Sequence, residues 1–80
     1  MSKIKNITDE VIMFISEYQG IPLNEIKEDS NLVTDLGISS FDLFEMINAI
    51  EAQFDVSVEN IDFGKIEVVS DISKFVCEKW

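Results

Sequence analysis

A helical stripe with a serine pair at its head constrains this chain more than any other feature. Leu43, Met46, Ile47, Ile50 and Phe54 recur at three- and four-residue spacing, so at about 100° per residue they line one face of a helix. Just ahead of the stripe runs Asp35-Leu36-Gly37-Ile38-Ser39-Ser40-Phe41-Asp42-Leu43-Phe44-Glu45, a tight glycine-containing loop that delivers a serine to the helix start. Ser39 fits the N-cap, and Asp42 three residues on completes the capping-box spacing. Ser40 then falls in the first turn, where free backbone N–H groups and the helix dipole favour an anion. A phosphate esterified to that hydroxyl would be well placed.

Phe41 projects to nearly the opposite side of this helix from the stripe. Glu45 and Asn48 share that far side, and Phe44 sits at its edge. Two explanations stay open for an aromatic residue on a polar face. Phe41 packs under the preceding loop, or it is an exposed contact for a partner, ringed by Asp42, Glu45, Glu51 and Asp55.

The pattern D-L-G-x-x-S-F-D-x-x-E, followed by an apolar stripe that ends in E-x-x-F-D, resembles the acyl carrier proteins. They belong to the wider phosphopantetheine-carrier family, which includes peptidyl and D-alanyl carriers. The matching residues are Asp35, Leu36, Gly37, Ser40, Phe41, Asp42, Glu45, Glu51, Phe54 and Asp55. Length, helix order and loop spacing extend the resemblance over nearly the whole chain. It implies that Ser40 is the attachment point for 4′-phosphopantetheine. Two positions depart from the family: Ser39 stands where Asp is usual, and Phe41 where Leu is commonest. Neither removes the hydroxyl, but both bear on which enzymes would dock.

Eighty residues with 46% apolar content predict one small globular domain over 1–80, near the lower limit for a self-sufficient core. Sixteen acids against six lysines leave a formal charge of −10, with arginine and histidine absent. That balance argues against nucleic acid, whose binding rests on basic side chains, and against anionic membrane surfaces. Basic protein partners are the natural counterpart, with charge acting on encounter and orientation more than on tightness. Self-repulsion follows, so salt or divalent cations should stabilise the fold. The single cysteine, Cys77, excludes an internal disulfide and reads as a packing thiol in a reducing compartment. No apolar run approaches membrane-spanning length, so a cytoplasmic monomer is expected.

In chain order, 1–6 reads as a polar lead. Thr8 is the candidate N-cap of a first helix with Asp9 and Glu10 in its first turn. Ile7, Val11, Phe14, Ile15 and Tyr18 mark its buried face, and Gly20, Ile21 and Pro22 end it. A long connection from 23 to 38 follows, pinned to a core by Leu23, Ile26, Leu32, Leu36 and Ile38, with turn chemistry at Asp29, Ser30 and Asn31. After the second helix, 58–63 reads as a short helical turn with Ile61 and Phe63 capping the core, interrupted at Gly64 and Lys65. The β-branched run 66–69 has no second strand to pair with and is expected as extended loop. Ser70 is the candidate N-cap of a last helix to about Lys79, whose buried face is Ile72, Phe75, Val76 and Trp80. The expected fold class is therefore all-α, a small three-to-four-helix bundle with a long first loop.

Catalysis by the chain itself is not expected. With no histidine, a Ser-His-Asp arrangement is impossible, and the nine acids from Glu28 to Asp62 are accompanied by no lysine. No metal site is expected either, since there is no His, one Cys and no EF-hand spacing.

Two readings remain, and the first follows from the resemblance. In it the protein carries acyl thioesters on an arm at Ser40 for fatty-acid or polyketide-type biosynthesis, a part of lipid metabolism. Its partners would be a phosphopantetheinyl transferase and basic-surfaced acyl-transfer or synthase enzymes. They would read Asp35, Phe41, Asp42, Phe44, Glu45, Asn48, Glu51 and Asp55, while an acyl chain tucks against Leu43, Ile47, Ile50, Phe54 and Ile66. An aminoacyl or specialised secondary-metabolite cargo is the variant of this reading. The second reading is an unmodified acidic docking module. Chemically, Ser39 can cap while Ser40 stays free, and that division of labour favours the carrier.

Overall fold

Three helices and two short 3₁₀ turns make up the computed structural model, which describes residues 3–57 and 63–79. Helix α1 spans Lys3–Gln19, α2 spans Ser40–Phe54 and α3 spans Val69–Lys79, with 3₁₀ turns at Leu23–Glu25 and Phe63–Lys65. No strand is present among the described residues, so the all-α expectation holds.

Helix α1 starts earlier than its sequence cues suggest. Thr8-Asp9-Glu10 has the chemistry of a helix start, yet the helix already runs from Lys3 and Thr8 is a buried interior residue. The reason is periodicity: Ile4, Ile7 and Val11 continue the three- and four-residue spacing toward the N-terminus, and lysine is a good helix former. Ile7, Val11 and Ile15 are buried, Phe14 is half-buried and Tyr18 is exposed. Gly20 ends the helix in the left-handed region at φ +70°, with its N–H and that of Ile21 both donating to the Ser16 carbonyl. A side chain there would be strained, which is why glycine closes this turn.

Helix α2 buries Leu43, Met46, Ile47, Ile50 and Phe54, the stripe read from spacing. It ends at Asp55, itself left-handed at φ 55°, whose N–H reaches the Glu51 carbonyl. Helix α3 opens at Val69, one residue before Ser70. Ser70 is therefore not its cap. Asp71 does that work in reverse, its carboxylate accepting the N–H groups of Glu67 at 2.9 Å and Val68 at 3.0 Å. Val69, Ile72 and Val76 are fully buried, and Phe75 and Cys77 pack half-buried against them. Trp80 and residues 58–62, including Ile61, lie outside the described residues. Gly64 and Lys65, expected as an interruption, are part of the second 3₁₀ turn.

The long connection between α1 and α2 is held by backbone, not only by apolar anchors. Ile26, Leu32 and Ile38 are buried and Leu36 is half-buried, but Leu23 is 52% exposed because the first 3₁₀ turn points it outward. The decisive contacts join 28–32 to the start of α3. The Leu32 N–H donates to the Glu67 carbonyl, Val69 N–H to Ser30 and Ser70 N–H to Glu28, all within 3.1 Å, around an isolated antiparallel bridge between Asn31 and Val68. The extended run 66–68 thus finds a partner in the first loop. These bonds also occupy backbone donors that the first turn of α3 would otherwise leave unpaired.

One polar atom breaks the pattern. Ser73 Oγ is fully buried in α3 and has no hydrogen-bond partner among the described residues.

Candidate functional site

The loop before α2 is a closed turn. Asn31 Oδ1 accepts the N–H groups of Val33 and Thr34 at 2.9 Å, and Asp35 returns the favour by accepting the Asn31 N–H at 2.8 Å. Asp35 and Leu36 N–H both donate to the Asn31 carbonyl, so 31–36 forms one helical turn with a cap at its head. Gly37 then reverses the chain at φ +70°, and Ile38 plugs the core at 2% exposure. Both ends of this turn are therefore anchored before Ser39 is reached.

Ser39 caps α2. Its backbone is extended and its Oγ accepts the Asp42 N–H at 3.1 Å, while its carbonyl accepts the first helical bond, from Leu43 at 2.8 Å. Ser40 is the first helical residue, is exposed, and its hydroxyl makes no hydrogen bond among the described residues. In the first turn the N–H groups of Ser40 and Phe41 have no intrahelical acceptor. Together these features place a nucleophilic oxygen, two open donors and the positive end of a helix dipole at one exposed point.

Beside it stands an aromatic and acidic face. Phe41 is 69% exposed and Phe44 51% exposed, so Phe41 does not pack under the loop. Phe44 leans on Phe63, with ring centroids 5.2 Å apart. Asp42, Glu45 and Glu51 are exposed on the same helix. Three other residues named from sequence hold local structure: Asp35 ties the turn to Asn31, Asn48 donates to the Phe44 carbonyl at 2.9 Å, and Asp55 terminates α2. Asn31 was read only as turn chemistry. Its pairing with an acid four residues on, Asn31-x-x-x-Asp35, is the signal that could have identified it as the organiser of the loop.

Leu43, Ile47, Ile50, Phe54 and Ile66 all lie in the buried cluster, each at most 8% exposed. A groove of about 390 Å³ lies elsewhere, lined by Glu10, Met13, Phe14, Glu17, Gln53 and Phe54, so Phe54 alone is common to both. No group of three metal-ligating side chains occurs among the described residues, and none of their helices is long and apolar enough to cross a membrane.

Known proteins resemble this chain in sequence and in fold. The family model described as "Phosphopantetheine attachment site" matches residues 9–76. An acyl carrier protein of Rickettsia bellii (strain RML369-C) is 37% identical over 78 residues, covering 98% of this chain and 91% of the relative. One from Thermotoga maritima is 33% identical over 79 residues, covering 99% and 98%. Among solved structures, MacpD, an acyl carrier protein from Pseudomonas fluorescens involved in mupirocin biosynthesis, superposes with a TM-score of 0.72 at 28% identity over 89% of this chain and 68% of that one. The apo doublet acyl carrier protein from prodigiosin biosynthesis superposes with a TM-score of 0.81 over 99% of this chain and 38% of that one, and at 19% identity it speaks to the fold alone.

Proposed function

The chain belongs to the phosphopantetheine-attachment family, with acyl carrier proteins as its relatives, and from that premise we propose that Ser40 bears its 4′-phosphopantetheine. The single observation that carries the assignment is the division of labour at the head of α2. Ser39 spends its side chain on the cap, whereas the Ser40 hydroxyl is exposed and unbonded among the described residues. The residues present fit an anionic phosphodiester there, since the N–H groups of Ser40 and Phe41 and the helix dipole favour negative charge at that point.

When bound, the group supplies a reactive thiol at the end of a flexible arm. The chain supplies placement. Asn31, Asp35 and Gly37 hold the loop rigid, so the serine is offered at a fixed angle from a structured surface. Phe41 and Phe44 offer partner enzymes an apolar contact, and Asp42, Glu45 and Glu51 steer a basic surface onto it. Asp35 and Asp55 belong to this face through the loop and the helix end they stabilise, and Asn48 through its bond to the Phe44 carbonyl. Leu43, Ile47, Ile50, Phe54 and Ile66 form the apolar interior that would shelter an acyl chain, at about 0.8 kcal/mol per buried methylene. No lysine or histidine lies between Lys27 and Lys65 to activate the Ser40 hydroxyl as a nucleophile, and this reading gives the chain no catalytic step of its own. It acts as a single-domain, cytoplasmic monomer that carries acyl thioesters in fatty-acid or polyketide-type biosynthesis.

Ser39 and Phe41, where the family favours Asp and Leu, support a second reading at the level of cargo: an aminoacyl or specialised metabolite. The test of the site is intact mass after incubation with coenzyme A and a promiscuous phosphopantetheinyl transferase. Wild type and Ser39→Ala gain one phosphopantetheine, and Ser40→Ala gains none. If folded wild type gains nothing beside a working control, the protein is an unmodified docking module. Loading the holo-protein with acyl against aminoacyl groups by candidate partner enzymes then separates the two cargoes.

A further inference from the structure

A groove lies at the end of α2 remote from Ser40 and shares only Phe54 with the apolar interior proposed for an acyl chain. Its floor and rim are Glu10, Met13, Phe14, Glu17, Gln53 and Phe54, so it runs between the outer face of α1 and the last turn of α2. Gln53 and Phe54 close α2, which at 1.5 Å per residue puts the groove about 20 Å from Ser40 along the helix axis.

The floor is apolar and braced. The Phe14 ring stacks on Tyr18 at 5.5 Å and meets Phe54 nearly edge-on at 6.3 Å, contacts that fix both rings before anything binds. Met13 is 54% exposed at its edge, an unbranched, polarisable side chain able to repack around an incoming group. Glu10 and Glu17 stand two turns apart on the same side of α1, both exposed. No basic residue lies between Lys5 and Lys27, and α2 has none, so the stretch of α1 from Glu10 to Glu17 and the facing turn of α2 carry no cation of their own.

We infer that this groove is a docking site for a basic amphipathic helix of a partner protein. An apolar side chain of that helix seats against Phe14 and Phe54, and lysines or arginines two turns apart pair with Glu10 and Glu17. The two-turn spacing of the acids matches the pitch at which a second helix repeats its own side chains. A partner held here leaves Ser40 and the Phe41 face uncovered. It would therefore raise the local concentration of the carrier without blocking the enzymes that read its other end. The inference stands whether or not Ser40 bears the arm.

The test is ¹⁵N chemical-shift mapping of the full chain titrated with a synthetic amphipathic helix of leucine, lysine and alanine. Perturbations should concentrate on 10–18 and 53–54. Glu10→Lys/Glu17→Lys should weaken binding about fivefold or more, while Phe41→Ala/Phe44→Ala leaves it within about twofold. Met13→Asp separates seating in the groove from diffuse attraction, because it adds a negative charge and yet should weaken binding. All three variants alter exposed residues, and circular dichroism checks that each is folded. Perturbations centred on 41–45, unchanged affinity in the charge-reversed variant, or tighter binding by Met13→Asp would each overturn the inference. So would self-association of the chain through this face, seen by sedimentation without peptide.

Discussion

The starts of α2 and α3 are built from the same materials and do opposite things. Each has a serine, and each has an aspartate in its first turn. At α3 the backbone donors are used: Asp71 takes those of Glu67 and Val68, and the N–H groups of Val69 and Ser70 go to carbonyls of the first loop. At α2, Ser39 takes one donor and the rest faces solvent beside a free hydroxyl. A helix N-terminus is thus open to a ligand only where the fold leaves its donors unsatisfied. The difference lies in what packs against each end, since the first loop covers α3 and leaves α2 open.

Exchanging roles between the two ends sharpens that contrast. The largest effect should come from reversing charge beside the open end. Asp42→Lys/Glu45→Lys is expected to slow arm attachment and acyl transfer about tenfold at low salt, with the deficit shrinking as ionic strength rises. Unchanged rates would remove these acids from the partner face. At the closed end, Asp71→Ala should cost about 1 to 2 kcal/mol in urea unfolding while leaving attachment to Ser40 intact.

That stability term also has a defined pH window. Burial pulls the Asp71 pKa upward, but the hydrogen bonds from Val68 and Glu67 and the charge of Lys74 outweigh it, leaving the carboxyl below its ordinary 3.8. A depressed pKa stabilises the fold above the unfolded value and loses that contribution as pH falls through the folded one. The gap between wild type and Asp71→Ala should therefore be constant from neutral pH to about 4 and close below it. A gap that closed near pH 6 would point to another group.

Ser39→Ala should cost about 1 kcal/mol, near the usual worth of an N-cap, with attachment preserved. The smallest effect has the opposite sign. Ser73→Ala removes a buried hydroxyl that has no partner among the described residues, and should stabilise the protein by up to about 1 kcal/mol on chemical denaturation. A loss of stability there would mean the hydroxyl is satisfied in solution.

The same contrast explains what could be read from sequence. The buried stripe of α2 and its Ser39 cap were legible because both are local: a repeat of three and four residues, and a serine three positions before the N–H it accepts. The first boundary of α1 was not, because Thr8-Asp9-Glu10 imitates a helix start inside an apolar repeat that continues past it. Ser70 misled for a related reason. Capping chemistry identifies an approximate place, and whether the serine or the following aspartate supplies the acceptor depends on where the flanking backbone runs. The pairing of Asn31 with Val68 was illegible because it joins backbone groups far apart in sequence, and backbone leaves no trace in side-chain pattern. At the site, Ser40 was singled out by the resemblance of 35–45 to the carrier pattern, whereas the structural duties of Asp35 and Asn48 depend on which backbone groups the fold brings to them.

The bonds between residues 28–32 and 67–70 also set an order of events during synthesis. The loop that presents Ser40 leans on backbone groups that emerge from the ribosome much later in the chain. A nascent chain that already contains Ser40 but not yet α3 has the serine without the platform. Long-range closure of this kind is slow relative to helix formation, so the loop ahead of Ser40 gains these backbone partners only after α3 has been translated.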